Sequence, residues 1–532
     1  MRAAALFTVL LVLAFTGAPR CEDDLEQEPP AELFTQFKVN NHIDNLVLSE
    51  LKDRMYPPSE TCSDEVFLRR VFLDTLGLLP SSQEARSFLA EKSADKREKL
   101  VARLLERPEF ADYLGMKWGD LLRIKAEFPS NLWPNASQAY SRWVHDCVRD
   151  NVPYDVFARK LLTASGSDFR DPPVNFFRAF QERTPGLIAE NAVLVFLGIR
   201  PENTVFSAEQ RLGLSAFFSR LGFKGTEEWK EEIVYFDPDA KPFLGPDGKE
   251  VRPCFPGKEP LSLGADTDPR SVFADWLVSK ENPWFAKCMV NRLWYWFFGY
   301  GIINEPDDLA GTHDAWSEEL LSYLEKEFVS HNFNVKYLCR LILSSNTYQL
   351  SALATKWNDA DNDGFSHYRT GRLEAEPLID IVCQITGVGE SYQSLIPEPF
   401  TFLPYSQRAV AIQDGSITSP FLELFGKPPR NTSFLSERNS VPTASQMQHF
   451  LNSGQIEKKI EQSRPLQQLF NLRKDDKVVI NEIFLRVLSR FPSEEERKLA
   501  LDYLTNPKKK YNEAFFDIVW SLMNSSEFLL RH

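Results

Sequence analysis

A helical spacing of apolar residues runs through almost the whole chain, and no other property restricts its fold so tightly. Between Val66 and Pro80, apolar side chains recur at 67, 68, 71, 72, 76 and 79, while Arg69, Arg70 and Asp74 fall off that stripe. Pro80 stops this helix, and Ser81 and Ser82 with Glu84 open the next. A third spans 96–105 and ends at Pro108. The same period marks 136–150, 155–163, 187–197, 207–221, 270–278, 284–299, 317–329, 334–345, 373–386, 443–462, 478–490, 493–504 and 512–524. No apolar/polar alternation persists long enough for a large sheet. The expectation is a mainly α protein with little β structure.

With 532 residues the chain exceeds what one core accommodates, since single cores stop growing near ~250–300 residues. Two helical domains are therefore expected. Residues 222–267 contain Pro238, Pro242, Pro246, Pro253, Pro256 and Pro260, which fix φ and remove backbone donors. This reads as a connector with at most a short hairpin at Pro246-Asp247-Gly248. It separates a first domain over 30–221 from a second over 268–532. A second irregular stretch, 391–439, holds six prolines and is long enough to be a functional surface or a lid. Residues 65–89 correspond to 482–504, each an apolar helix with Phe-Leu-Arg, a Pro-Ser corner, an acidic cap and a second helix. Residues 96–110 likewise correspond to 512–528, and 334–348 is a weaker echo. Helix-pair units are thus expected at both ends of the chain.

Met1-Arg2, an apolar run from Ala3 to Phe15 and the small residues Thr16-Gly17-Ala18 have the form of a secretory signal peptide over 1–21. That run is too short for a bilayer of ~30 Å. Arg20 spoils the setting that a lipid anchor on Cys21 would need. No other uncharged run reaches transmembrane length, so the mature chain is expected to be secreted or periplasmic, without a membrane span. Cys147, Cys288, Cys339 and Cys383 fall within apolar helical patterns, where buried free thiols are the simpler reading than disulfides. The net charge is -14, or -16 once Arg2 and Arg20 leave with the leader. The longest basic run is Lys508-Lys509-Lys510, so nucleic acid is excluded as a partner.

The stretch 268–309 packs six Trp/Phe residues between Trp284 and Phe298 around Asn291-Arg292, then closes on Glu305-Pro306-Asp307-Asp308. It resembles the start of domain of unknown function 1553 in secreted planctomycete-type proteins. The resemblance continues through 341–351, Arg372–Gly387, Glu437-Arg438 and Asn524–His532. The portion 33–220 resembles domain of unknown function 1549, carried by Phe67–Pro80, 96–110 and Trp118–Arg123. Many relatives follow the equivalent of Asn191–Ile199 with a Cys-x-x-Cys-His segment for c-type haem. This chain instead has 200–220 without Cys or His, and no two cysteines stand three residues apart. The resemblance therefore implies a haem-less member of a cytochrome-associated family: covalent haem is excluded and no cofactor is expected. Relatives also carry cysteines before the Glu-Arg pair, where this chain has Phe, Leu and Ser.

Candidate chemistry gathers after the aromatic stretch. Asp307, Asp308 and His313 with Arg292 offer an acid/base or metal cluster. The plainer reading has Asp314 capping the helix near Ser317 and Arg292 pairing internally with Asp307 or Asp308. Asp359, Asp361 and Asp363, followed by Gly364, copy the first half of a calcium loop, but its twelfth position is Thr370 instead of Glu. The aromatic run itself suits sugar stacking or a core. Its stripes, Leu293-Phe297-Tyr300 beside Val290-Trp294-Phe298, wrap one helix nearly all round and so favour burial. No Gly-x-Ser-x-Gly, His-Glu-x-x-His or phosphate loop is present. The expected function is an exported binding or assembly protein whose partner is an envelope protein or a glycan. The alternative is an enzyme on extracellular polysaccharide, which requires Asp307, Asp308, His313 and Arg292 to converge in an open cleft.

Overall fold

The computed structural model describes residues 29–311, 313–471 and 475–532, so the leader read over 1–21 lies outside the described residues. Helices dominate, as the periodicity predicts. Helices Pro134–Arg149, Tyr154–Thr163, Pro185–Leu197, Phe285–Phe298, Ala375–Thr386 and Asp476–Leu488 lie within a residue or two of their periodic segments. Strands are short. β1 (Gly166–Ser167) and β2 (Leu221–Gly225) flank β3 (Glu232–Phe236) in an antiparallel sheet, and β4 (Gly371–Arg372) pairs antiparallel with β5 (Leu530–Arg531).

Three local readings differ from the structure. Pro108 does not merely end a helix: it is the first residue of Pro108–Leu121, where a fixed φ fits and no amide proton is needed. The 443–462 pattern is broken at Ser453, which closes Ala444–Asn452 and caps Gly454–Glu461 through its side chain on the Gln455 amide. The connector opens with the β2–β3 ribbon, whose Val234 is fully buried, and the turn around Pro246-Asp247-Gly248 amounts to one bridge between Leu244 and Glu250. Glycines and prolines on either side hide the β-rich run Ile233–Phe236 from a sequence reading.

Two apolar cores form. The first unites the helices of the first half with the aromatic helix Phe285–Phe298 and with Glu318–Ser330 and Val335–Leu343. The second is built on Ala375–Thr386, Asp476–Leu488 and Tyr511–Met523. Helix Asp64–Leu76 lies between them, giving Phe67, Leu68, Val71, Phe72 and Leu76 to the first and Leu73 to the second. Its off-stripe charges do not face water. Arg69, Arg70 and Asp74 are 2%, 0% and 6% exposed.

The repeat is present in geometry, but its caps set a register in which the two Phe-Leu-Arg runs, 67–69 and 484–486, do not coincide. Ser63, Gly77, Ser81 and Glu84 each stand 412 positions before Asp475, Ser489, Ser493 and Glu496. Each set supplies, in order, the N-cap of a 13-residue helix, its left-handed C-cap, and the two ends of a capping box on the next helix. The two units touch: helix Ser82–Ala90 packs on Asp476–Leu488, with Arg86 paired to Glu482.

Candidate functional site

The aromatic helix is core. Trp294 is fully buried and stacks on Phe298 at 4.2 Å, and Phe297 and Phe298 are 4% and 3% exposed. The Asn291-Arg292 pair serves the backbone around it. Asn291 Nδ2 donates to the Ile303 carbonyl, and Asn291 Oδ1 accepts the Ile303 amide, both at 2.9 Å. Arg292 reaches the end of helix Pro185–Leu197, donating to the carbonyls of Leu194, at 2.9 Å, and Val195. A cation is favoured there because the last carbonyls of a helix lack amide partners. Arg292 also donates to Asp307 Oδ1 at 3.1 Å, and Asp307 Oδ2 accepts the Leu435 amide at 2.6 Å.

The four candidate residues therefore do not line one open site. Arg292 and Asp307, 0% and 2% exposed, form a sealed pair that joins the aromatic helix, helix Pro185–Leu197 and the second irregular stretch. Asp308 instead accepts from Asn203 Nδ2 at 2.7 Å, and His313 is exposed. Ser317 caps Glu318–Ser330 with its own hydroxyl, a role the sequence reading gave to Asp314. The segment after Ile199 is stitched to this loop twice, by Asn203–Asp308 and by a 2.7 Å ion pair between Arg200 and Glu305.

Of the calcium-loop carboxylates, Asp361 is buried and accepts the Ser366 amide at 3.0 Å, while Asp363 accepts from the Tyr300 hydroxyl at 3.2 Å. Among the described residues no group of three or more His, Cys, Asp or Glu side chains is arranged to hold a metal ion. The six described cysteines are free thiols; Cys62, Cys147, Cys288 and Cys339 are buried.

An assembly of buried charge lies elsewhere, in a seam between the two cores. Helix Pro108–Leu121 supplies Lys117 and Asp120; Glu374 and Glu376 stand at the start of Ala375–Thr386; Arg430 and Arg438 come from the second irregular stretch. Asp120 accepts from Arg430 Nε at 2.9 Å and from Arg438 Nη2 at 2.6 Å. Arg438 Nη1 donates to Glu376 at 2.6 Å, and Lys117 pairs with Glu374. Gly119 makes room for this, since a Cβ there would come within 2.8 Å of Arg430 Nη2. Burial raises the Glu374 carboxyl, but Lys117 and Arg438 outweigh it and bring it down to about 2. Burial acts the same way on Asp120, and Arg438 and Arg430 together hold it below the usual carboxylate value.

A second branch fastens helix Asp64–Leu76. Arg69 donates to the carbonyls of Val487 and Phe528 at 3.1 and 2.9 Å, and Arg70 to those of Leu350 and His532, both at 2.9 Å. Asp74 accepts from the Tyr348 and Tyr368 hydroxyls at 2.7 and 3.1 Å and from Arg531 at 3.2 Å. These side chains are each held by several hydrogen bonds, although Arg69 Nε and Glu374 Oε2 are left without a hydrogen-bond partner, and their chemistry is cohesion. Sequence reasoning missed the seam although, apart from Lys117 and Arg430, its charged members lie in the segments Phe67–Pro80, Trp118–Arg123, Arg372–Gly387, Glu437-Arg438 and Asn524–His532. The signal was a buried-looking motif that repeatedly carries Arg and Asp.

Comparison with known families places the two sides of the seam in separately matched regions. The model for PSCyt2, a protein of unknown function (DUF1549), matches residues 42–195, and that for PSD1, a protein of unknown function (DUF1553), matches 269–504. The chain thus carries both regions, one after the other, and the seam joins side chains from the two. No curated protein and no solved structure matches the chain.

Proposed function

We propose that the protein is an exported binding or assembly component, a haem-less member of a cytochrome-associated group, that engages an envelope protein or a glycan. The observation that supports this reading is the seam: Asp120, Glu376, Arg430 and Arg438 bond to one another, an arrangement suited to a stiff scaffold and not to acid/base work. Export rests on the leader pattern of residues 1–21. No helix among the described residues is long and apolar enough to cross a membrane.

Two measurements test this. Purified mature protein, mixed with envelope extract and recovered, is expected to retain a protein or glycan, and a pyridine haemochrome assay is expected to be blank. A haem signal, or an extract that yields nothing over an unrelated acidic control, would overturn the reading.

A further inference from the structure

Three loops distant in sequence bring aromatic rings together at one place on the surface. Trp133 precedes helix Pro134–Arg149, Trp229 sits at the tip of the β2–β3 ribbon, and Phe400 lies in the second irregular stretch. Trp133 meets Trp229 edge-on at 4.8 Å between ring centroids and Phe400 at 5.7 Å; Trp229 and Phe400 are 5.9 Å apart. Even so, Trp229 is 55% exposed and Phe400 36%. Phe128 and Leu395, 61% and 92% exposed, flank the trio, because Glu127 Oε1 accepts from Ser394 Oγ and the Leu395 amide at 3.0 and 3.1 Å. Soluble surfaces rarely leave large apolar groups clustered in water without a binding role.

The backbone supplies an independent indication. Trp133 has φ 68° and ψ 150°, a region open essentially to glycine, and Pro134 after it restricts it further. Hydrogen bonds from the amides of Asn131, Leu132 and Trp133 to the carbonyls of Glu127, Lys125 and Ala126, at 2.9, 3.3 and 3.2 Å, hold it there. A turn that only had to connect would place glycine at 133. Here the strain presents an indole to the cluster.

Charge and size select the occupant. Lys230 lies 5.3 Å and 5.9 Å from the Trp133 and Trp229 ring centroids, and its positive charge disfavours a cationic occupant. The rest of the rim includes exposed Glu227, Glu228 and Glu398, on a chain of net charge -14, which disfavours a polyanion. Three partly exposed rings offer a few hundred Å² at most, below the ~800 Å² per side of a standard protein interface. A neutral sugar chain fits these limits: pyranose C–H faces rest on rings, and hydroxyls meet the rim carboxylates and the exposed amides of Asn131 and Asn135.

We propose that the Trp133–Trp229–Phe400 platform binds a neutral polysaccharide. The inference deepens the binding role proposed above by choosing a glycan at a defined place. Its test is affinity electrophoresis through gels carrying hydroxyethylcellulose, galactomannan or arabinoxylan, with alginate and carrageenan as polyanion arms, and thermal denaturation run in parallel. Retardation by at least one neutral polymer is expected. Trp229→Ala and Trp133→Gly should each weaken it on the order of tenfold without lowering the melting temperature. The glycine variant relieves backbone strain, and its melting temperature separates lost binding from misfolding. Indifference to every neutral polymer, retardation by polyanions alone, undiminished retardation of both variants, or self-association that Trp229→Ala abolishes would overturn it. A double variant that loses glycan but still retains a protein from envelope extract separates the broader assembly reading from this one.

Discussion

Arg438 touches both Asp120 and Glu376 and sits near Glu374, so removing it leaves Glu376 without its ion-pair partner and Asp120 with Arg430 alone. Breaking a buried ion pair from one side costs about 3–5 kcal/mol. Arg438→Ala is expected to lower the unfolding free energy obtained from urea denaturation by that much, and a loss below ~1 kcal/mol would mean that water replaces the guanidinium. Asp380 gives a pH-dependent counterpart. Burial pushes its carboxyl up to about 7, although Arg408 and the amides of Ala409 and Val410 pull the other way. The folded protein thus holds this proton more tightly than the unfolded chain, where Asp titrates near ~3.9. Its contribution to stability is complete below that value and is lost as pH rises to about 7. Denaturation midpoints from pH 4.5 to 8 should therefore fall less steeply in Asp380→Asn than in the parent. At this scale the sequence was legible where partners are close: Arg292 and Asp307 are 15 residues apart, and an internal pairing of Arg292 with Asp307 or Asp308 was read from the sequence. Asp120 and Arg438 are 318 apart, and each alone looks like an ordinary solvated charge.

The helices were legible because burying one face demands a 3.6-residue period whatever the tertiary partner. Their ends were less so, since Pro and Ser both stop and start helices, as Pro108 and Ser453 show. The repeat offers a sharper test of cap chemistry. Gly77 and Ser489 occupy equivalent C-caps with φ 61° and 63°, but only glycine adopts that conformation without steric cost. Ser489 is also fully buried, and its hydroxyl has no hydrogen-bond partner. Ser489→Gly is expected to stabilise the protein by about 1 kcal/mol, seen as a raised melting temperature, whereas Gly77→Ser should destabilise it. A lower melting temperature for Ser489→Gly would mean that the hydroxyl fills space the fold requires.

The first core takes Phe273, Trp294 and Leu321 from beyond the connector, and helix Asp64–Leu76 is held by carbonyls at Val487 and Phe528. A chain cut to residues 29–267 would expose these contacts, so it is expected to lose near-UV circular dichroism and to be digested where the full chain resists. A protease-resistant fragment of that size would show that the first region folds alone. This interlocking could not be read beforehand, because periodicity reports which face a helix buries and not which helix buries it. The free thiols carry a practical consequence. With its six described cysteines unpaired, the described fold needs no oxidising compartment or disulfide-forming enzyme to mature, and the protein should be obtainable folded from a reducing cytoplasm. Among the described thiols, alkylating reagents should mark Cys254 and Cys383 well before the four sealed in the first core.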